Sequence, residues 1–390
     1  MCLVSIIIPF FNNEQYIKDA IDSIRFQKYK NIEIILVDDA SKDSSVTIVQ
    51  ESMKLDKRIK LFQHIENKGC PRAVKTGIEN SSGEYIFLAG ADDISFNDRI
   101  NKCLNVFKDN INVGIVVSNA TIIDKFSNKV DEDYIISKAV NNRTIAMEQF
   151  KRNYCLGATM ALKRNNEILL KAHMLEEIED YQIAIEYLLS GYDIFVVDSF
   201  LIKYRIHDNN CSNNKSQLAK KLTSGLKRYD STEIMNMLLL RGYSRKQALT
   251  TIAIFELFRK NQNCCYHLLI EALEEKCYEE KEDFELYFYL GVCEFIRGNL
   301  SESYKNFCSA YMLNCNEATL LNNLGLLHYL FYKDKIKSKV LIEKSLKLIP
   351  NYLDAKKNLE SIANGNFDNI RLTERLLDKC IIKRNKYILD

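Results

Sequence analysis

The sequence predicts an α/β domain with a mainly parallel sheet, followed by an all-α region. Strand-like and helix-like segments alternate up to about residue 205, which is typical of sheets whose strands are joined by helices. After about residue 215 the strand signal fades and long helical patterns with almost no proline follow. Within them Leu290-Gly291 returns 34 residues later as Leu324-Gly325, which predicts stacked helical repeats.

The elements of the α/β domain follow from hydrophobic periodicity. Apolar runs predict buried strands, and apolar residues at i, i+3, i+4 and i+7 predict an amphipathic helix after the first strand. Asn12 or Asn13 is expected to cap that helix, with Glu14 in its first turn. The predicted strands are 3–8, 32–37, 59–63 and 84–88, and the predicted helices begin near 16, 44 and 73.

The domains are expected at 1–214, 215–275 and 276–390, the second being a helical linker or degenerate repeat. In the third, Gly298, Phe307 and Ala310 stand at offsets that resemble a tetratricopeptide repeat, in which each helical hairpin hides its apolar face by stacking on the next. An unrelated helical bundle is the alternative. Because such arrays offer concave surfaces, we expect this region to bind the acceptor, a protein partner or a second copy of the chain.

Composition and charge narrow the functional classes. The net charge of +2 gives no argument for nucleic acid. Residues 203–260 carry 12 Lys or Arg against 4 Asp or Glu, which suits a solvated helical face or peripheral contact with an anionic membrane. No apolar run approaches a membrane span. The 12 cysteines are scattered and no signal peptide precedes them, so we expect reduced thiols and a cytoplasmic location.

Polar clusters follow the predicted strands, at the end of the sheet where α/β domains collect their ligands. The adjacent carboxylates of Asp92 and Asp93 repel each other unless a cation or a donor cluster meets them. The clusters are PFFNNE after the first strand, VDDASKD at 37–43, NKGCPRA at 67–73, GADD at 90–93, EEIEDY at 176–181 and YRIHDNNCS at 204–212.

In this order and spacing the clusters resemble glycosyltransferase family 2, inverting enzymes of the GT-A nucleotide-diphospho-sugar transferase fold. The resemblance covers about residues 3–212 and implies sugar transfer from a nucleotide-diphosphate sugar to a glycan or protein hydroxyl. It implies that Asp39 accepts a hydrogen bond from the nucleotide base, and a carboxylate suits the imide N–H of uracil. Turn capping is the alternative role for the Asp38-Asp39 pair. The remaining expected donor-binding residues are Pro9, Phe11, Asn12, Glu14, Asn67, Arg72, Asp92 and Asp93.

The resemblance also implies a divalent metal, Mn or Mg, held by Asp93 and Asp92 with the donor diphosphate. His207 stands where some relatives place a histidine near the metal, and we expect it as a third ligand, although a lone histidine is more often a surface or capping residue. One position departs from the family pattern. Many relatives have an acid two residues before Asp92, where this chain has Gly90.

Asp180 matches the general base of the family, which takes the acceptor proton as the oxygen attacks the sugar. The alternative is an exposed acid in the first turn of a helix, where carboxylates suit the helix dipole. Which of Glu176, Glu177 and Glu179 assists is left open, and residues 156–159 resemble the loop that lines the acceptor side.

Other nucleotide-binding classes lack their motifs here. A dinucleotide-dependent oxidoreductase needs GxGxxG after the first strand, a P-loop hydrolase needs its Gly-Lys motif, and a sugar nucleotidyltransferase needs a glycine-rich, arginine-bearing loop. The rival from another class is a tetratricopeptide interaction scaffold with an inactive transferase domain, which Gly90 favours. We expect the active enzyme, in bacterial polysaccharide biosynthesis or protein glycosylation.

Overall fold

The computed structural model describes residues 2–136, 140–171, 178–208, 210, 215–275, 280–365 and 370–377. The chain forms two compact units, which divide after Glu233. The helix at 215–226, predicted as part of a linker, is counted with the first unit.

The first unit is built on one sheet of nine strands in the order β3-β2-β1-β4-β8-β6-β9-β5, with β7 paired to β6. From β3 to β4 all pairs are parallel, as predicted, whereas β4 to β8, β8 to β6, β6 to β7 and β9 to β5 are antiparallel and β6 to β9 is parallel. The strands are β1 Val4–Phe10, β2 Ile32–Asp38, β3 Ile59–Gln63, β4 Tyr85–Leu88, β5 Ile94–Ser95, β6 Val113–Ile123, β7 Lys129–Tyr134, β8 Ala161–Lys163 and β9 Asp193–Arg205.

Helices cover both faces of the parallel half of this sheet. Ile6 and Ile8 of β1 lie in the core with the helix that follows β1, and Ile7 faces the opposite side, where a Cβ built on Gly77 would lie 2.4 Å from it. The helices are α1 Ile17–Arg25, α2 Ser45–Leu55, α3 Cys70–Glu79, α4 Arg99–Asp109, α5 Ile145–Lys151, α6 Asn166–Leu169, α7 Glu179–Leu189 and α8 Lys215–Leu226, with a 3₁₀ turn at Gly157–Thr159.

The predicted strands and helices of the first region are confirmed, with two differences at helix starts. Helix α3 begins at Cys70 rather than near 73, because Pro71 sits in its first turn, where the missing N–H is not needed. The prediction that Asn12 or Asn13 caps α1 was wrong. Tyr16 is the N-cap residue and makes no side-chain cap bond, because Asn12 and Asn13 use their side chains within and between loops.

The second unit is a series of helical hairpins. Glycine, serine and an apolar residue repeat at its packing positions: Ser303 Oγ donates to Gly291 O at 2.6 Å, and Ser338 Oγ donates to Gly325 O at 2.6 Å. The period of Gly291 and Gly325 is therefore structural, although the tetratricopeptide assignment stays a prediction. The helices are α9 Ser231–Leu240, which spans the division, α10 Arg245–Phe258, α11 Gln262–Glu274, α12 Glu280–Ile296, α13 Leu300–Leu313, α14 Ala318–Tyr332, α15 Lys335–Leu348 and α16 Leu353–Asn364.

Two sequence expectations concern the whole chain. Among the described cysteines none forms a disulfide, and Cys265 Sγ lies 3.3 Å from Cys293 Sγ as a pair of thiols. Within the described ranges, no helix combines the length and the apolar character that crossing a bilayer requires.

Substitution of Gly325 tests the close packing of α14 against α15. Gly325→Ala places a Cβ 2.7 Å from Ile342 Cγ1 and 3.0 Å from Ser338 O, so α14 and α15 must move apart. We expect a loss of about 1–2 kcal/mol in the free energy of unfolding, because overpacking of about 1–3 kcal/mol outweighs the gain in helix propensity of up to about 1 kcal/mol. Urea denaturation measures this loss, with Asn306→Ala, at a half-buried position of α13, as control. Equal or higher stability of Gly325→Ala would contradict the close approach.

Candidate functional site

The loops after β1 and β2 are fastened to each other by side-chain to backbone hydrogen bonds. Asn12 has φ 54°, in the left-handed region that asparagine tolerates, and its Oδ1 accepts from Lys42 N at 2.8 Å. Glu14 N donates to Asp43 Oδ2 at 3.0 Å, and Ser44 N donates to Glu14 Oε2 at 2.9 Å. The acids in these two clusters therefore shape one rim at the carboxyl ends of the strands.

Asp39 lies at that rim and holds the next loop. Its Oδ1 accepts from Lys68 N at 2.8 Å and lies 2.7 Å from His64 Nδ1, and its Oδ2 accepts from Gly69 N at 2.7 Å. The residue is only 3% exposed. A carboxylate offers about four lone-pair positions, so these contacts leave one on Oδ2 for a further donor.

Asp92 and Asp93 follow β4, and their carboxylates converge beside Gly90. A Cβ built on Gly90 would lie 2.5 Å from Asp93 Oδ2 and 2.9 Å from Asp92 Oδ1, so both oxygens face the same small space. Burial, then the neighbouring charge of Asp92, raises the pKa of Asp93 well above its ordinary value. Gly90 is thus the residue that leaves room for this pair.

Arg205 ties the pair to the rest of the unit. Its N donates to Asp93 Oδ1 at 2.9 Å, and its Nε donates to Asp92 O at 2.7 Å. The guanidinium lies 4.6 Å from the centre of the Tyr16 ring, and its Nη1 donates to Ser127 Oγ at 2.9 Å. Arg205 is 1% exposed and therefore acts as an internal brace rather than as a surface cation.

His207 lies beside the pair, as the sequence led us to expect. Its Nε2 is 2.8 Å from Asp92 Oδ2, and its ring centre is 5.0 Å from that of Tyr16. A metal ion bound through Nε2 would have to replace this contact. Among the described residues, no group of three or more His, Cys, Asp or Glu side chains is arranged to hold a metal alone.

Asp180 and Glu179 form a second pair of neighbouring carboxylates, at the start of α7. Burial, then the charge of Glu179, raises the pKa of Asp180 to about 7, while bonds from Tyr181 N, Gly157 N and the Asn153 side chain oppose the rise. Burial also raises the pKa of Glu179, which accepts from Cys70 Sγ at 3.5 Å. Asp180 is therefore poised between its two protonation states near neutral pH.

These groups lie along one continuous stretch of the first unit. The loop held by Asp39 leads into α3, whose Cys70 touches Glu179. On the other side, Ala158 and Asp93 line the same small recess, which also borders Gly90. Arg99 crosses beneath it: its Nη2 donates to the carbonyls of Leu88 and Met160, which joins the end of β4 to the loop beside Asp180.

The remaining expected residues differ in accessibility. Phe11 is 43% exposed, Asn67 and Arg72 are exposed, and Pro9 is half-buried at the end of β1. Glu176 and Glu177 lie outside the described residues.

Sequence reasoning missed four contributors: His64, Arg205, Arg99 and Tyr16. The position of His64 directly after β3, next to the parallel strand that ends in Asp38, was the available signal.

Comparison with known proteins gives concordant results. The model of glycosyl transferase family 2 matches residues 5–167. An uncharacterized glycosyltransferase of Rickettsia typhi is 33% identical over 287 residues, which cover 70% of this chain and 85% of that protein. TuaG of Bacillus subtilis, a putative teichuronic acid biosynthesis glycosyltransferase, is 27% identical over 56% of this chain and 85% of its own length.

Among solved structures, residues 1–349 of S. aureus TarS in complex with UDP-GlcNAc superpose with a TM-score of 0.51 at 15% identity, covering 96% of this chain and 98% of that one. This likeness supports the GT-A fold. The family model and the sequence relatives show that the chain is a glycosyltransferase and belongs to glycosyltransferase family 2.

Proposed function

We propose that the protein is an inverting transferase that moves a sugar from a UDP-linked donor to a hydroxyl of a glycan or protein acceptor, with Asp180 as general base. The observation that carries this proposal is the carboxylate pair of Glu179 and Asp180 beside the Gly157 turn, where burial and the charge of Glu179 raise the pKa of Asp180 to about 7. A base of that pKa is available near neutral pH and still strong enough to take a hydroxyl proton as the bond to the sugar forms.

The position of Asp180 supports the same role. Its backbone neighbour Glu179 and the Gly157 turn enclose it, and an ideal Cβ on Gly157 would lie 3.6 Å from Asp180 Cβ. The absence of a side chain at Gly157 keeps the approach to the carboxylate open. A second carboxylate beside the first keeps the proton affinity high.

On the donor side we propose that Asp39 reads the base N–H through the remaining lone pair of Oδ2, and that Pro9, Phe11, Asn12, Glu14, Asn67 and Arg72 line the donor site. Asp39 also holds Lys68 and Gly69, so the base and the 67–69 loop depend on one carboxylate. The UDP-GlcNAc in the TarS complex and the name of TuaG are consistent with a UDP donor and with polysaccharide biosynthesis.

The Asp92 and Asp93 carboxylates fit a divalent cation. Two hard oxygens face one space, and burial together with the charge of Asp92 raises the pKa of Asp93, which a bound cation would counteract. We propose that Asp93 and Asp92 hold Mn or Mg with the donor phosphates, with His207 as a third ligand or as the holder of Asp92. When bound, the metal would stabilise the charge of the leaving nucleotide diphosphate.

The helical unit is proposed to bind the acceptor, a partner or a second copy, and the transferase is proposed to work in the cytoplasm, with peripheral contact to the inner face of the membrane as an option. The inactive-scaffold alternative loses its argument, because Gly90 makes room for two carboxylates. A thermal-shift screen of UDP-, GDP- and TDP-sugars with Mn²⁺ identifies the donor for the experiments below.

Asp180→Asn removes the base and keeps the shape. We expect the rate of sugar transfer to fall about 10²- to 10⁴-fold, the range for loss of a general base, with donor affinity unchanged. UDP release and calorimetric donor binding measure the two quantities. Asp98→Asn, which changes a partly exposed carboxylate near Lys102, is the matched control. Full activity of Asp180→Asn would reject the assignment.

The pH dependence of kcat follows from the raised pKa of Asp180. Asp180 is active when deprotonated, so kcat should rise with pH and level off above about 7, falling tenfold per unit on the acid side. Glu179→Gln removes a negative neighbour that raises this pKa, so the acid limb should move to lower pH. If the acid limb of the kcat profile is at the same pH in Glu179→Gln, a group other than Asp180 controls the rate.

Metal dependence is tested on binding as well as on rate. We expect Mn²⁺ to strengthen UDP binding, and Asp93→Asn to weaken the Mn²⁺-dependent part at least about tenfold, because half of the carboxylate charge facing the ion is lost. Calorimetry of UDP with Mn²⁺ or with EDTA gives the comparison, and Asp98→Asn again serves as control. Equal UDP affinity with and without Mn²⁺ would contradict a metal at this pair.

A further inference from the structure

Residues 370–377 lie as a non-helical segment against the helices of the second unit; we call this segment the strap. Its backbone is held by asparagine side chains in pairs of hydrogen bonds. Asn358 Nδ2 donates to Arg371 O at 2.8 Å, and Asn358 Oδ1 accepts from Arg371 N at 2.8 Å. Asn323 makes the same two bonds to Thr373, with its Nδ2 to Thr373 O at 2.9 Å and its Oδ1 from Thr373 N at 3.0 Å.

The two asparagines occupy equivalent positions of neighbouring hairpins. Asn323 and Asn358 are 35 residues apart, the same separation as Ser303 and Ser338 at the hairpin packing positions. A second pair with this separation, Thr319 and Asp354, also contacts the strap. Thr319 Oγ1 accepts from Leu377 N at 3.1 Å, and Asp354 Oδ2 accepts from Thr373 Oγ1 at 2.9 Å. The repeat thus presents the same polar positions to one extended chain.

These polar groups are costly without a partner. Asn323 and Asn358 are fully buried, and Thr373 is 3% exposed beneath the Tyr352 hydroxyl, which it contacts. With the strap in place these amides are shielded from water, and a buried amide that loses its hydrogen bonds costs about 1–3 kcal/mol, so any chain that covers this face must supply matching backbone groups. Apolar contacts add selectivity, because Leu372 and Leu376 pack against the helical core and Leu377 is buried.

We propose that the asparagine-lined face of α14 and α16 is a binding site for an extended polypeptide, which the strap fills in cis and which a segment of a second polypeptide chain enters when the strap leaves. The paired hydrogen bonds to the N–H and C=O of one residue recognise the backbone of the bound segment and not its side chains. These bonds therefore require only that the segment is extended. Leucine-like residues at the positions of Leu372, Leu376 and Leu377 complete the fit. The inference is independent of the chemistry proposed for the first unit.

The strap holds its place partly because it is tethered. Five residues separate the end of α16 at Asn364 from Ile370, and so short a connection gives an effective concentration in the millimolar range. A peptide in trans must compete against that concentration. We therefore expect the unaltered chain to bind a free strap peptide at least about 100-fold more weakly than a chain whose strap is impaired.

The test uses the full chain and a fluorescent peptide of sequence IRLTERLL, which copies residues 370–377. Thr373→Pro in the chain removes the N–H that Asn323 accepts, so the strap should release and the peptide should bind, as measured by fluorescence anisotropy. Adding Asn323→Ala or Asn358→Ala should then weaken peptide binding about tenfold or more, because each removes two hydrogen bonds. Asn306→Ala and a scrambled peptide are the controls.

Two results would overturn the proposal. One is a folded Thr373→Pro chain, by circular dichroism and melting, that does not bind the peptide. The other is peptide binding that the asparagine substitutions leave unchanged. If Thr373→Pro fails to fold, hydrogen exchange of the unaltered chain decides: the amides of Arg371 and Thr373 should be protected and should exchange at least tenfold faster in Asn358→Ala and Asn323→Ala respectively. Exchange at unprotected rates in the unaltered chain would reject the site.

Discussion

The constraint on which the first unit depends is the repulsion between Asp92 and Asp93 at the buried end of a strand. The Asp93 carboxylate cannot turn into water, because the sheet and its helices enclose it. Two arginines stabilise this arrangement. The backbone N–H of Arg205 donates to the Asp93 carboxylate and its Nε–H donates to the Asp92 carbonyl, while Arg99 lies beneath the end of the strand. Each arginine also holds a distant loop, so the charge of the pair organises the surrounding backbone.

The second carboxylate pair lies in a different setting. Glu179 and Asp180 are also neighbours but are only half-buried, and Lys221 is a cation that acts on Glu179. Burial raises the pKa of both acids, as it raises that of Asp93. The geometry differs: oxygens of Asp92 and Asp93 face one small space beside Gly90, which suits a cation, whereas Asp180 lies beside the Gly157 turn with a pKa of about 7, which suits proton transfer.

The sequence was sufficient for the fold of the parallel half and for the residue types at the site. Strands such as β2 are apolar throughout, and parallel order forces the clusters that follow β1, β2 and β4 to one edge. The sequence did not predict contacts between residues that lie far apart in the chain. Arg205 reaches Asp92 over 113 residues, and no local pattern announces it. The antiparallel pairs of β8 were equally hidden, because a three-residue strand carries too little periodicity to be recognised.

The contacts of the strap were likewise not predictable from sequence periodicity. The extended conformation of the strap explains the spacing of the two asparagines that bind it. In an extended chain two residues advance about 7 Å, and neighbouring packed helices lie about 8–10 Å apart. One asparagine on each of α14 and α16 can therefore reach alternate residues of a strap that crosses them, and the observed contacts at Arg371 and Thr373 follow this spacing. The equivalent position on α12, 34 residues before Asn323, is Tyr289, which cannot make the paired amide bonds. The strap also packs Leu372 and Leu376 against the apolar cluster that contains Tyr289. Paired amide recognition is thus confined to α14 and α16, and apolar packing supplements it.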